Sequence, residues 1–316
     1  MKHKIFIDGS EGTTGLKIYE RFAGRDDIEV LAIAPAKRKD ADERRRLINA
    51  SDVTFLCLPD EAARESVSLV ENEKTVVIDA STAHRVADGW SYGFPELSAA
   101  HRQNIATGRR ISVPGCHATG FIALIFPLVK AGLLAADYPF AVTSISGYSG
   151  GGKKVIAEYE DEGRDACYDA PRLYALGQRH KHLPEMTKVC ALAREPLFSP
   201  VIADYYAGMV VSVPIYGTGL AATGGLRALH DFYMDYYAGA GLVKVAPLPD
   251  DSNAPAFLGG NEMAGRDDLY IYLTGHDERI VLCAAFDNLG KGASGAAVQC
   301  MNIALGCEEA VGLVVG

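Results

Sequence analysis

Short apolar runs alternate with helix-compatible stretches over the first eighty residues, and that rhythm restricts the fold more than any other feature of the chain. Lys4–Asp8, Glu29–Ala34, Val53–Leu58 and Thr75–Asp79 read as strands, with helical stretches at Leu16–Phe22, Arg44–Ala50 and Glu61–Val70 between them. Strands with apolar centres and no alternation must be covered on both faces. A connection that contains a helix returns the chain parallel to the strand before it. The expected first domain is therefore α/β, with a Rossmann-type parallel sheet.

The pattern changes after about residue 140. Val142–Ser146, Met209–Tyr216, Leu269–Thr274 and Ile280–Phe286 are longer β-rich segments, and the last two flank Gly275-His276-Asp277-Glu278 as a hairpin. One helix, about Leu226–Tyr237, lies among them. This predicts an α+β domain with a mixed or antiparallel sheet. Gly292–Leu305 reads as an amphipathic helix that returns to the first domain.

Composition excludes several function classes. A formal net charge of −9 argues against nucleic acid as a partner, because phosphate backbones require a basic face. The seven cysteines are odd in number and none has CxxC spacing, so neither a disulfide framework nor a structural zinc site is expected. Cys57, Cys283 and Cys300 read as packed hydrophobes. The apolar run in MKHKIFIDG is too short for a signal peptide, and no stretch has the length of a membrane span. These features predict a cytoplasmic chain without membrane contact.

Three motifs carry chemistry. Gly9-Ser10-Glu11-Gly12-Thr13-Thr14-Gly15 sits on the first strand-to-helix turn, where glycines let backbone N–H groups approach a pyrophosphate. The second strand runs into Lys37-Arg38-Lys39 with no carboxylate at its end, which suits the 2′-phosphate of NADP better than the free ribose of NAD. Cys116 follows a strand and opens an apolar helix in Pro114-Gly115-Cys116-His117, where aligned peptide dipoles favour a thiolate. Downstream, His180-Lys181-His182-Leu183-Pro184-Glu185 is flanked by Arg179. That positive charge makes it a poor metal site and a better source of a histidine acid/base, so no metal is expected.

Together these segments resemble N-acetyl-gamma-glutamyl-phosphate reductases, in their shorter variant. The resemblance also covers Asp79-Ala80-Ser81-Thr82-Ala83-His84-Arg85, Tyr92–Leu97, Ser146–Lys154 and Asp287–Gly295, in that order along nearly the whole chain. It implies Cys116 as nucleophile, His182 as acid/base and Glu185 as the carboxylate that orients it, with His180 the second choice for the base. Cofactor contacts are implied at Gly9, Gly12, Thr13, Thr14, Gly15, Lys37, Arg38, Ser81, Asn288 and Gly290. Substrate contacts are implied at Arg85, Ser149, Gly150, Lys153 and His180. The longer family members have Asn before the Pro-Gly-Cys and Tyr-Pro after it, whereas this chain has Val113 and His117-Ala118. His117, directly beside the nucleophile, is a rival base ranked below His182, because neighbouring residues on a helix point in different directions.

The implied reaction is NADPH-dependent reduction of an acyl phosphate to an aldehyde through a cysteine thioester. The implied domains are 1–115, binding NADP and completed by 290–316, and 116–289 for catalysis and oligomerisation, in a homodimer or homotetramer. Aspartate-semialdehyde dehydrogenase and an aminoadipyl-phosphate reductase share this chemistry and stay open as alternatives, with a non-catalytic NADP sensor more remote.

Overall fold

The computed structural model describes residues 2–221, 224–248 and 256–316. They form two compact units, Met1–Gly115 with Ala293–Leu313, and Cys116–Gly292 with Val314–Gly316.

The first unit runs β1 (His3–Asp8), α1 (Thr13–Glu20), β2 (Ile28–Leu31), α2 (Ala41–Ala50), β3 (Val53–Leu56), α3 (Asp60–Ser68), β4 (Val76–Asp79), β5 (Ser91–Tyr92), α4 (Ala99–Thr107) and β6 (Arg110–Ser112). Its sheet has the order β2-β1-β3-β4-β6-β5 and every pairing is parallel. The uninterrupted apolar strands are explained by burial on both faces. Ile5 and Ile7 pack with Phe55, Ile78, Ile18 and Phe22 on one side, while Phe6 packs with Leu47, Ile48 and Leu69 on the other.

Several boundaries differ from expectation. α1 starts at Thr13, not Leu16, because Gly12 caps it in extended backbone, and so Thr13, Thr14 and Gly15 are helical. β2 stops at Leu31 and does not reach Ala34, since its last partner on β1 is Phe6 and Pro35 then opens a tight turn. β3 likewise ends at Leu56. The helix α4 carries no amphipathic signal in the sequence; Ser98 caps it by accepting from the His101 amide.

The C-terminal segment is a five-residue π turn, Gly290–Ser294, followed by an α-helix, Gly295–Leu305. Every residue from Gly295 to Ile303 is buried, so this is a core helix and not the amphipathic one expected. The polar residues that create the amphipathic pattern are themselves satisfied inside. Gln299 donates to Glu96 and Glu309, and Asn302 donates to the Glu309 and Val311 carbonyls.

The second unit runs α5 (Cys116–Lys130), β7 (Ala141–Gly147), α6 (Gly152–Glu160), β8 (Arg172–Leu173), α7 (Leu183–Val189), β9 (Leu197–Ala203), β10 (Met209–Tyr216), α8 (Gly225–Tyr236), β11 (Val243–Val245), β12 (Leu269–His276) and β13 (Arg279–Phe286). Its mixed sheet has the order β11-β12-β13-β10-β7-β9-β8, antiparallel except at β11–β12 and β7–β9. The β12–β13 hairpin closes on Asp277-Glu278 alone, tighter than the four-residue break read from sequence.

α5 lies directly on this sheet, and Gly120 makes that approach possible. A Cβ there would stand 2.5 Å from Val211 Cγ2 and 2.9 Å from Phe286 Cε1. Pro127 lies inside α5 and has no N–H for the Ala123 carbonyl one turn back. Tyr237 fills the vacancy, its hydroxyl donating to the Ala123 carbonyl at 2.7 Å, and the Tyr233 hydroxyl adds a second bond, to the Leu124 carbonyl. The helix that opens with Cys116 is therefore held both by the sheet and by the tyrosines at the end of α8. Among the described residues no helix is long and apolar enough to cross a membrane.

Candidate active site

Cys116 is the first residue of α5 and lines a cavity of about 490 Å³ within the second unit. The neighbouring wall residues include Gly147, Gly150, Arg172, Tyr174, His180 and Lys181. The Cys116 sulfur and one ring nitrogen from each of His117 and His182 lie within 4.8 Å of one another. The fold thus brings together a thiol at a helix start and a histidine sixty-six positions downstream, a separation read from the chain numbering.

Backbone packing explains why the thiol sits there. The π turn passes so close that a Cβ on Gly292 would be 2.9 Å from Cys116 Cβ, which admits no side chain. His182 is buried and stands at the N-cap of α7, with Glu185 buried in the first turn of the same helix. His180 is half-buried, and its Nδ1 accepts the His182 backbone amide at 3.2 Å. Its ring centroid is 4.6 Å from that of His182.

His117 is buried and both its ring nitrogens are engaged. Nδ1 is 2.6 Å from Ser144 Oγ and Nε2 is 2.6 Å from the Tyr174 hydroxyl. Burial first, then the neighbouring His180 and Lys181, lowers its pKa from 6.5 to about 3. An imidazole with so low a pKa is a weak base and carries no proton to give near neutrality. The low pKa and the two occupied nitrogens both count against His117 as the base.

Other side chains expected to touch substrate have structural partners. Ser149 is buried, and its Oγ accepts from Asn288 Nδ2 at 2.9 Å. Asn288 also accepts the Gly208 amide at 2.8 Å, so its two amide ends join Ser149 to Gly208, whose carbonyl accepts the Gly147 N–H. Gly290 is pressed against the Arg266 carbonyl, where a Cβ would be 2.0 Å away. Lys153 and Lys154 are exposed on α6 and are not among the residues lining the cavity; Lys154 pairs with Glu158 at 3.8 Å. The cations that line it are Arg172, which nothing in the sequence singles out, and Lys181, which the sequence marks only as a charge beside the two histidines. Arg172 is stacked over Tyr168, 4.0 Å from the ring centroid. No spacing rule in the sequence marks Arg172 or Tyr174, because both are brought in by the short edge strand β8.

The glycine loop lies in the first unit, beside a cavity of about 250 Å³ lined by Asp8, Gly9, Glu11, Gly12, Arg38, Lys39 and Cys57. Gly9 adopts φ +90°, and a Cβ would stand 2.3 Å from the Cys57 carbonyl, so only glycine fits. Cys57 is half-buried at this wall and is not simply a packed core residue, whereas Cys283 and Cys300 are buried. Thr13 and Thr14 are in the first turn of α1. Of the basic run, Arg38 and Lys39 line the cavity, while Lys37 is exposed.

Asp8 points a carboxylate under a loop suited to phosphates, and Arg44 offsets it. Arg44 Nε is 3.1 Å and Ser66 Oγ 2.7 Å from the same Asp8 oxygen, all three side chains being buried. Ser81 donates to Asp79 at 2.8 Å, and Asp79 also holds His84 Nδ1 at 2.6 Å. Arg85 donates to the Val113 carbonyl at 3.0 Å and to Ala80 at 3.2 Å, bracing the strand exit that precedes Cys116.

Comparison with known proteins agrees with this architecture. Residues 4–105 match the semialdehyde dehydrogenase NAD binding domain, and residues 116–288 match the semialdehyde dehydrogenase dimerisation domain. Aspartate semialdehyde dehydrogenase II from Vibrio cholerae shares the fold, with a TM-score of 0.70 over 96% of this chain and 98% of that one, at 16% identity. These matches define an oxidoreductase of the semialdehyde dehydrogenase class, built to bind a nicotinamide cofactor. The N-acetyl-gamma-glutamyl-phosphate reductase of Brucella anthropi is 49% identical over 97% of this chain and 99% of its own length. N-acetyl-gamma-glutamyl-phosphate reductase 2 of a Nostoc species is 46% identical over 99% of each. The chain belongs to the N-acetyl-gamma-glutamyl-phosphate reductase branch of the semialdehyde dehydrogenase family.

Proposed function

We propose that this protein reduces N-acetyl-L-glutamyl 5-phosphate to N-acetyl-L-glutamate 5-semialdehyde with NADPH, in arginine biosynthesis, with Cys116 as nucleophile and His182 as acid/base. The observation that carries the reading is the approach of the Cys116 sulfur and a His182 ring nitrogen at the wall of one cavity.

The chain's own groups account for the chemistry. His182 takes the thiol proton, and the first turn of α5 favours the resulting thiolate. The sulfur attacks the acyl carbonyl, a C–S bond forms, and the carbonyl oxygen becomes an oxyanion beside the α5 amides. When the C–O bond to phosphorus breaks, inorganic phosphate leaves with the electron pair and a thioester remains on Cys116. When bound, NADPH supplies the hydride that reduces the thioester carbonyl. As the C–S bond breaks, Cys116 keeps the bonding pair and His182 holds a proton within reach of the sulfur. Arg172 and Lys181 are suited to the carboxylate and phosphate of the substrate, a role expected in sequence of Lys153 and Arg85. Glu185, buried one turn from His182, suits the part of orienting carboxylate. His180 spends Nδ1 on a backbone amide, which favours His182 over it as the base.

The preference for NADP rests on the first unit. Among the described residues the Arg38 Nε is buried without a hydrogen-bond partner, and Arg38 and Lys39 flank the glycine loop. A 2′-phosphate oxygen would satisfy that donor. Residues 1–115 with the C-terminal segment would hold the cofactor, and 116–289 would carry catalysis and assembly. A homodimer or homotetramer built on the second sheet is supported by the exposed apolar side chains Ile145, Leu197 and Tyr216.

The test is the reverse reaction: NADP, inorganic phosphate and N-acetylglutamate semialdehyde, with aspartate semialdehyde and acetylaminoadipate semialdehyde in parallel. Phosphate-dependent NADPH formation with the acetylglutamyl aldehyde alone, abolished in Cys116→Ser, is expected. Turnover confined to another aldehyde would reject the substrate, and full activity in Cys116→Ser would reject the mechanism.

A further inference from the structure

The mechanism above leaves one buried titratable group at the site unused. His117 follows the nucleophile directly, yet it is neutral and is bonded at both ring nitrogens. Its surroundings decide which nitrogen carries the proton. A neutral imidazole has one donor and one acceptor nitrogen. Ser144 lies on β7 with no solvent exposure, and among the described residues its hydroxyl has no partner other than His117 Nδ1. If Nδ1 carried the proton, Ser144 would accept it and its own hydrogen would be buried without an acceptor, which costs about 1–3 kcal/mol. If Nε2 carries the proton, Ser144 donates to Nδ1 and nothing is left unmet.

That choice sets the direction of the next bond. Nε2–H donates to the Tyr174 oxygen, so the Tyr174 hydrogen is left over and must find an acceptor elsewhere. Tyr174 lines the same cavity as Cys116, and the described residues offer its hydroxyl no other partner. The phenol stays protonated, because burial and then the Cys116 charge push its pKa up. Phe198, His180 and His182 surround the imidazole with ring centroids at 5.3, 5.5 and 5.4 Å, which locks its orientation.

We propose that Ser144 and His117 form a relay that orients the Tyr174 hydroxyl as a hydrogen-bond donor to the oxygen of the acyl group bound at Cys116. Tyr174 is then a further oxyanion donor, and His117 and Ser144 are positioning residues. The inference rests on Cys116 being the nucleophile.

Two measurements test it. Selective ¹⁵N labelling of histidine should show His117 as the Nε2–H tautomer with no titration between pH 5 and 9. An Nδ1–H tautomer, or a midpoint in that range, would overturn the relay whatever the substrate proves to be. The second is a double-mutant cycle on kcat with the acetylglutamyl aldehyde. Tyr174→Phe should lower kcat about 10²-fold, the usual loss for one oxyanion donor, with the NADP KM unchanged. Ser144→Ala should lower kcat several-fold alone and cause no further loss in the Tyr174→Phe background. Additive losses, or an unchanged kcat in Tyr174→Phe, would refute the proposal while leaving the Cys116 reading intact. If the wild type turns over no aldehyde, the reading of the reaction fails and the tautomer measurement alone decides the relay.

Discussion

Replacing Gly120 by alanine isolates the contact that seats the nucleophile's helix. The new Cβ would meet Val211 Cγ2 at 2.5 Å, Val211 Cβ at 2.7 Å and Phe286 Cε1 at 2.9 Å. Carbon atoms rest at about 3.5–4.0 Å, so the helix or the sheet must yield by about 1 Å. The contacted atoms offer little slack, since a valine stem on a central strand cannot rotate away. Overpacking of this kind costs about 1–3 kcal/mol, against about 1 kcal/mol gained from alanine's better helix propensity. At the middle of that range the net loss is about 1 kcal/mol, or a melting temperature lower by ~2–4 °C for a unit of this size. Cys116 is one turn away on the same helix, and a 1 Å misplacement of a reacting group costs about 10²-fold in rate. Thermal melts and kcat on Gly120→Ala measure both effects. Gly241→Ala is the control, since no atom lies within 4 Å of its added Cβ. A Gly120→Ala protein that melts at or above wild type would show that the helix does not depend on this contact.

The remaining expectations concern charge, cofactor and backbone. His117 has a folded pKa of about 3 against 6.5 unfolded, so the unfolded chain binds the extra proton below 6.5. Its contribution is complete above that pH and falls by about 1.4 kcal/mol per pH unit as the pH drops toward 3. His117→Gln should flatten denaturant stability between pH 6 and 4, and an unchanged slope would contradict the buried neutral imidazole. Arg38→Ala with Lys39→Ala should raise the NADPH KM far more than that for NADH, whereas Lys37→Ala should change neither. Equal effects on both cofactors would remove the 2′-phosphate argument. Tyr237→Phe leaves the Ala123 carbonyl beside Pro127 without its donor and should cost about 1–3 kcal/mol in urea melts. No change would mean that water replaces the hydroxyl.

The sequence by itself determined what depends on neighbours along the chain. Apolar strands separated by helices prescribe a parallel sheet covered on both faces, and the Ile5, Phe6, Ile7 alternation into opposite clusters follows from that. A glycine that must take φ +90°, and a cysteine at a helix start, are local features and were visible as motifs. Element boundaries were less legible, because β2 ends where its partner strand runs out, and Gly292–Leu305 reads as amphipathic only until Gln299 and Asn302 find buried partners.

Only the tertiary structure decided which side chains share a wall. Arg172 and Tyr174 reach the cavity because β8 pairs with β9 at the sheet edge, a pairing no spacing encodes. Asn288 and Ser149, 139 positions apart, meet in one hydrogen bond and become scaffold for the loop beside the thiol. The charge state of His117 was likewise invisible, since a pKa is set by desolvation and by groups distant in sequence. A chain specifies its local geometry residue by residue, but proton positions and partners depend on distances that exist only once the sheet has closed over its helix.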